Sequence, residues 1–135
     1  VSGGVDENGL EAGYPFRPEM ELTVRDAHRM LGEGKLVLVD CRTVPEWEFA
    51  RVEGSVLIPL DEIERRHDEV EAGPGQRVAV ICHHGVRSMR AALALRALGV
   101  KGCVSVAGGI EAWSLAADAG VRRYERGGGV IRPVV

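Results

Sequence analysis

The segment Val78–Ala91, VAVICHHGVRSMRA, gathers the residue types that perform covalent chemistry. An apolar run ends in Cys82, a turn holds His83, His84 and Gly85, and Arg87 and Ser88 then open an alanine- and leucine-rich stretch. A cysteine between a strand and a helix N-terminus sits where unpaired backbone N–H groups collect. Those donors and a nearby cation favour the thiolate, which is the reactive form. Cys82 is thus the expected nucleophile, acting on a small anionic group.

The turn residues have separable expected roles. The amides of His83, His84, Gly85, Val86, Arg87 and Ser88 can ring the sulfur as an anion nest. Gly85 permits a positive φ, and the Ser88 hydroxyl can cap the following helix. Arg87 can grip an oxyanion with its planar fork, and Arg42 is a second candidate. Asp40 suits an arginine partner better than a substrate contact, because a carboxylate repels an anion. His83 and His84 read as loop residues valued for their backbone, as proton carriers, or, for one of them, as a charge that biases the loop toward anions as pH falls. Cys103, Trp47 and Trp113 read as packing.

Composition narrows the function classes. A chain of 135 residues with net charge −3 fits one domain and offers no polyanion-binding surface, so no nucleic-acid partner is expected. No apolar run approaches membrane-spanning length, and residues 1–16 lack the basic and apolar regions of a signal peptide. No membrane partner and a cytoplasmic location are the expectation. Three widely spaced cysteines suit reduced thiols, and no zinc-ligand spacing is present, so neither metal nor cofactor is expected.

The elements that must position this chemistry alternate along the chain. Strand patterns fall at Met20–Thr23, Leu36–Val39, Ser55–Ile58, Arg77–Ile81 and Cys103–Ala107. Helix patterns fall at Val24–Leu31, Glu46–Ala50, Leu60–Glu71, Ser88–Leu98 and Ile110–Ala119. Residues 1–18 read as a flexible arm, 19–120 as the domain, and 121–135 as a C-terminal tail with few ordering signals. Strands apolar on both faces imply an α/β fold, a parallel sheet covered by helices on both sides. Ligands bind such sheets beyond the carboxyl ends of the strands. Asp40-Cys41-Arg42, Cys82–Ser88 and Gly108-Gly109 all fall there.

Three motifs resemble the rhodanese-like sulfurtransferase family over about Glu19–Ala119. They are LVDCRTVPEWEFARVEGSVLIPL from Leu38, the Cys82-x-x-Gly85-x-Arg87-Ser88 loop, and Val106-Ala107-Gly108-Gly109-Ile110-x-Ala112-Trp113. Arg51-Val52 stands where the family usually has His-Ile, which touches packing rather than chemistry. The resemblance implies a five-stranded parallel sheet of order 1-5-4-2-3. It also implies sulfane sulfur transfer from thiosulfate or another persulfide donor to cyanide, a thiol or a protein acceptor, through a Cys82 persulfide.

Two rival readings stay open: a sulfur-carrier or interaction module loaded by a cysteine desulfurase, and a Cys-dependent phosphatase or arsenate reductase. Four residues separate Cys82 from Arg87. The related cell-cycle phosphatases keep one more, and the shorter loop favours a single sulfur atom over a phosphate. Cys41 is a possible redox partner. Ends of neighbouring strands lie about 4.8 Å apart, close to the roughly 4.4–6.8 Å Cα range of a disulfide, and the related phosphatases carry a protective cysteine in a similar context. The alternative is a small side chain facing away.

Overall fold

The computed structural model describes residues 4–135. Five strands form one parallel sheet: β1 (Glu21–Leu22), β2 (Leu36–Asp40), β3 (Val56–Leu57), β4 (Arg77–Ile81) and β5 (Val104–Val106), in the order β1-β5-β4-β2-β3. Side chains alternate between the two faces. Leu36, Leu38, Ala79, Ile81, Val104 and Val106 enter the core under α1 (Val24–Gly32) and α4 (Gly109–Ala116). Val39, Cys41, Val78, Val80 and Cys82 face the opposite way, toward α3 (Val86–Ala97). The same alternation that buries the strands therefore points both Cys41 and Cys82 to the α3 side.

Local chemistry sets the short helices. Thr43 and Glu46 form a reciprocal capping box that starts α2 (Val44–Phe49), with Pro45 in its first turn where a missing N–H costs nothing. Gly85 takes φ 102° and lets α3 begin at Val86, two residues before the expected start.

Three segments differ from expectation. Leu60–Glu71 is two single 3₁₀ turns, Leu60–Glu62 and His67–Glu69, rather than one amphipathic helix. Side chains compete with the helix ladder here: Arg66 grips both Glu62 and Glu69, and His67 Nδ1 reaches Glu64 O at 2.8 Å. Residues 121–135, read as a tail, contain an antiparallel hairpin, β6 (Tyr124–Gly127) and β7 (Val130–Pro133), with Tyr124 2% exposed. Within the segment read as an arm, Leu10 is buried against Gly108, Asp6 closes a turn onto the Asn8 and Leu10 amides, and the Tyr14 hydroxyl bonds buried Glu21. Sparse apolar residues concealed these contacts, because one anchor per turn carries no periodicity.

Candidate active site

Cys82 is the first residue beyond β4, at the rim where the carboxyl ends of the strands meet the turns. Its turn is held from two sides. The Ile110 amide donates to Cys82 O at 2.8 Å and the Glu111 amide to His83 O at 3.2 Å, so the start of α4 fixes the carbonyls of the loop. Gly109, at φ 61°, lies so close that a Cβ would overlap those same carbonyl oxygens. That close approach accounts for the Gly108-Gly109 turn.

The sulfur faces donors. Gly85 N lies 3.0 Å and Ser88 N 3.3 Å from Cys82 Sγ, and Ser88 Oγ is also at 3.3 Å. Ser105 Oγ, at 2.7 Å from Ser88 Oγ, holds that hydroxyl in place. Cys41, from the end of β2, is a further hydrogen-bond partner, and its amide bonds Ile81 O at 3.0 Å. The Cys41 thiol is the largest influence lowering the Cys82 pKa, followed by Ser88 and Gly85. Together they outweigh burial and bring it to about 5. The same hydrogen bond, with burial, pushes Cys41 far above the thiol range. One proton thus stays on Cys41 and Cys82 carries the charge. Ser88 is not the helix cap expected of it; it is the third helical residue and a ligand of the sulfur.

Cys82 is 1% exposed, whereas a thiol at the mouth of the turn was expected. The sulfur is enclosed by the Gly85 and Ser88 amides on one side and by the apolar cluster that holds Cys41, Val80 and Ala91. Two of the expected ring of amides reach Sγ. The Val86 and Arg87 amides, first in α3, have no intrahelical acceptor available to them.

The arginines are placed differently from the expectation. Arg87 grips Glu46 with both terminal nitrogens, at 2.7 and 2.9 Å. Arg42 is fully buried, and each of its guanidinium nitrogens already has a protein partner: Asp40, Ala50 O at 2.6 Å, and the Tyr124 hydroxyl at 3.0 Å. Asp40 pairs with Arg42 at 2.7 Å. His83 stacks on Tyr124, with ring centroids 4.0 Å apart, and its Nε2 donates to Tyr124 O at 3.0 Å. Burial first, and His84 beside it, lower the His83 pKa to about 4, so it stays neutral. His84 is exposed and rests against the His83 ring.

Glu46 and Tyr124 are the site residues that sequence reasoning missed. Glu46 is fully buried, accepts from Arg87, Tyr124 and Thr43, and is held well below the carboxylate range by those bonds against the opposing effect of burial. The Thr43-x-x-Glu46 spacing signals a capping box, but nothing local reveals Arg87 as a second partner. Tyr124 had no sequence signal beyond being an aromatic residue in a polar tail.

On the Cys41 side of the thiol pair lies a cavity of about 710 Å³, whose lining includes Cys41, Thr43, Leu60, Ile63, Arg87 and Arg90. Among the described residues, no three His, Cys, Asp or Glu side chains are grouped to hold a metal ion, and no helix is long and apolar enough to cross a membrane.

A family model described as "Rhodanese-like domain" matches residues 23–116, ending ahead of Tyr124. Over 79 residues the chain is 35% identical to the Bacillus subtilis protein named "Putative sulfur carrier protein YrkF", covering 58% of this chain and 42% of that protein. It is 36% identical over 95 residues to the Mycobacterium tuberculosis protein named "Probable adenylyltransferase/sulfurtransferase MoeZ", covering 69% of this chain and 24% of that protein. The chain thus spans less than half the length of these relatives. Among solved structures, a rhodanese-related protein from Thermoplasma volcanium superposes with a TM-score of 0.64 at 28% identity, covering 73% of this chain and 93% of that one.

Proposed function

Because this chain belongs to the rhodanese-like domain family, we propose that it moves sulfane sulfur from thiosulfate or a related persulfide donor to cyanide, a thiol or a protein acceptor, using Cys82 as the carrier. The single observation that supports this most is the Cys82 sulfur, which accepts from the Gly85 and Ser88 amides at 3.0 and 3.3 Å.

The chemistry balances in two displacements. The Cys82 thiolate attacks the outer sulfur of thiosulfate; one S–S bond forms, the other breaks, and its electron pair leaves with sulfite. The Cys82 persulfide anion then presents its outer sulfur to the acceptor nucleophile, which takes it and returns the thiolate. Covalent catalysis of this form predicts ping-pong kinetics. The Val86 and Arg87 amides, free at the start of α3, are the natural donors to a charged outer sulfur. With Arg87 bound to Glu46, its contribution is field and loop position rather than a free fork. A loop of four residues between Cys82 and Arg87 suits this small group better than a phosphate.

A sulfur-carrier role is the second reading, favoured by the 1% exposure of Cys82. A docked partner can open a sealed loop where a free anion meets a closed one. Free cysteines throughout fit a reducing compartment, the cytoplasm in this proposal. The test compares donors on one preparation. Thiocyanate formation from thiosulfate and cyanide, abolished by Cys82→Ser, supports the enzyme. Silence with thiosulfate but rapid loading from a cysteine desulfurase supports the carrier. Full turnover by Cys82→Ser rejects both.

A further inference from the structure

The geometry points to Tyr124, delivered by the C-terminal hairpin, as a positioning residue for the Cys82 loop. This deepens the sulfurtransferase reading and rests on it for the reaction affected.

Among the described residues no strand pairing joins the hairpin to the five-stranded sheet, and β6 is exposed except at Tyr124. A lone two-stranded hairpin is marginal in water, so its anchors decide where it sits: Arg126, whose Nη1 lies 3.6 Å from Glu46 Oε1, and, buried, Tyr124. Three separate contacts converge on Tyr124. The Tyr124 hydroxyl donates to Glu46 Oε2 at 2.5 Å while accepting from Arg42 Nη1 at 3.0 Å. The ring lies flat on His83, 8° from parallel. The Tyr124 carbonyl accepts from His83 Nε2.

These contacts reach the catalytic turn at both ends. His83 directly follows the nucleophile. Arg87, beyond Gly85, is held by Glu46, whose second oxygen Tyr124 steadies. Asp40, Arg42, Glu46 and Arg87 form a chain of alternating charge, and the neutral Tyr124 hydroxyl bridges its two halves. Among the described residues no buried polar side-chain atom lacks a partner, so removing that hydroxyl leaves an unfilled position in a closed network.

Tyr124→Phe keeps the ring and the carbonyl and deletes only the bridge. Glu46 then carries less compensated charge and Arg87 is held less firmly, and both changes disfavour a thiolate at Cys82. The full chain is titrated by thiolate ultraviolet absorbance, with Cys82→Ser as the blank. We expect the midpoint to rise by about one pH unit, and sulfur transfer at pH 5 to fall about fivefold with the deficit shrinking toward pH 8. In Glu46→Gln the further change Tyr124→Phe should add little, because the hydroxyl acts through Glu46. Gly129→Val is the second variant. Gly129 is exposed at φ 75° with open space around it, so the change strains the hairpin turn without touching the site. It should move the midpoint in the same direction as Tyr124→Phe.

An unchanged midpoint in folded Tyr124→Phe overturns the assignment. If Tyr124→Phe does not fold, an unchanged midpoint in Gly129→Val overturns it. A wild-type chain that transfers no sulfur defeats the proposed function alone, since the titration still reports on Tyr124.

Discussion

Arg87 and Glu46 face each other as a two-pronged ion pair, with nitrogen–oxygen distances of 2.7 and 2.9 Å, joining the helix after the Cys82 turn to the helix after β2. The residue expected to bind substrate anion is thus committed to holding its own loop. Glu46 is fully buried and the Arg87 side chain is 19% exposed, so solvent screens the pair little. Removing one partner of such a pair costs about 3–5 kcal/mol, much of it from the charge left behind. Glu46→Gln should lower unfolding free energy by that order in urea titration. A loss below about 1 kcal/mol, the range of exposed pairs, would contradict the structural role.

The thiolate predicts a pH profile. With the Cys82 pKa near 5, the rate of persulfide formation should climb through pH 5 and level off by about pH 7. Stopped-flow sulfite release from thiosulfate reads this directly. A limb rising through pH 8–9 would mean that the loop does not stabilise the anion.

Cys41 contributes most to that depressed pKa. Cys41→Ala should therefore raise the thiolate midpoint more than Ser88→Ala does, both read by ultraviolet titration. The reverse ranking would assign the stabilisation to the loop alone.

The same pair carries a redox prediction. Peroxide oxidises the Cys82 thiolate to a sulfenic acid, and attack by Cys41 then expels water and leaves a disulfide. Strand neighbours Asp40 and Ile81 put the two cysteines side by side at the sheet end. Peptide mapping after mild peroxide should find a Cys41–Cys82 link that dithiothreitol reverses. Sulfinic or sulfonic Cys82 with Cys41 untouched would count against it.

Stability should fall in acid through His83. Its pKa is lowered from 6.5 to about 4 in the folded chain, so between those values the unfolded chain binds a proton that the folded one refuses. The contribution is complete above pH 6.5 and is lost as pH falls toward 4. His83→Gln should flatten the decline of melting temperature over that window, and an unaltered slope would remove His83 as its cause.

The sheet was legible because five β-rich runs alternate with helical ones, and Arg77–Ile81 was bounded correctly from its apolar continuity and flanking turns. The place of Cys82 at the end of β4 and the positive φ of Gly85 were legible because strand ends and turn glycines are local signals. Glu46 and Tyr124 were not, because their roles come from contacts 41 and 78 residues apart in sequence, which no window of sequence displays. The Glu46 partner of Arg87 was hidden for the same reason. A free guanidinium and one bound to a distant carboxylate look identical until the fold closes.

Intact mass of the full chain after incubation with thiosulfate, before and after cyanide, bears most directly on the central claim. A gain of one sulfur atom on Cys82 that cyanide removes and Cys82→Ala never acquires is the predicted result. An unchanged mass with thiosulfate and with a desulfurase-generated persulfide alike, or a sulfur retained in Cys82→Ala, would contradict it.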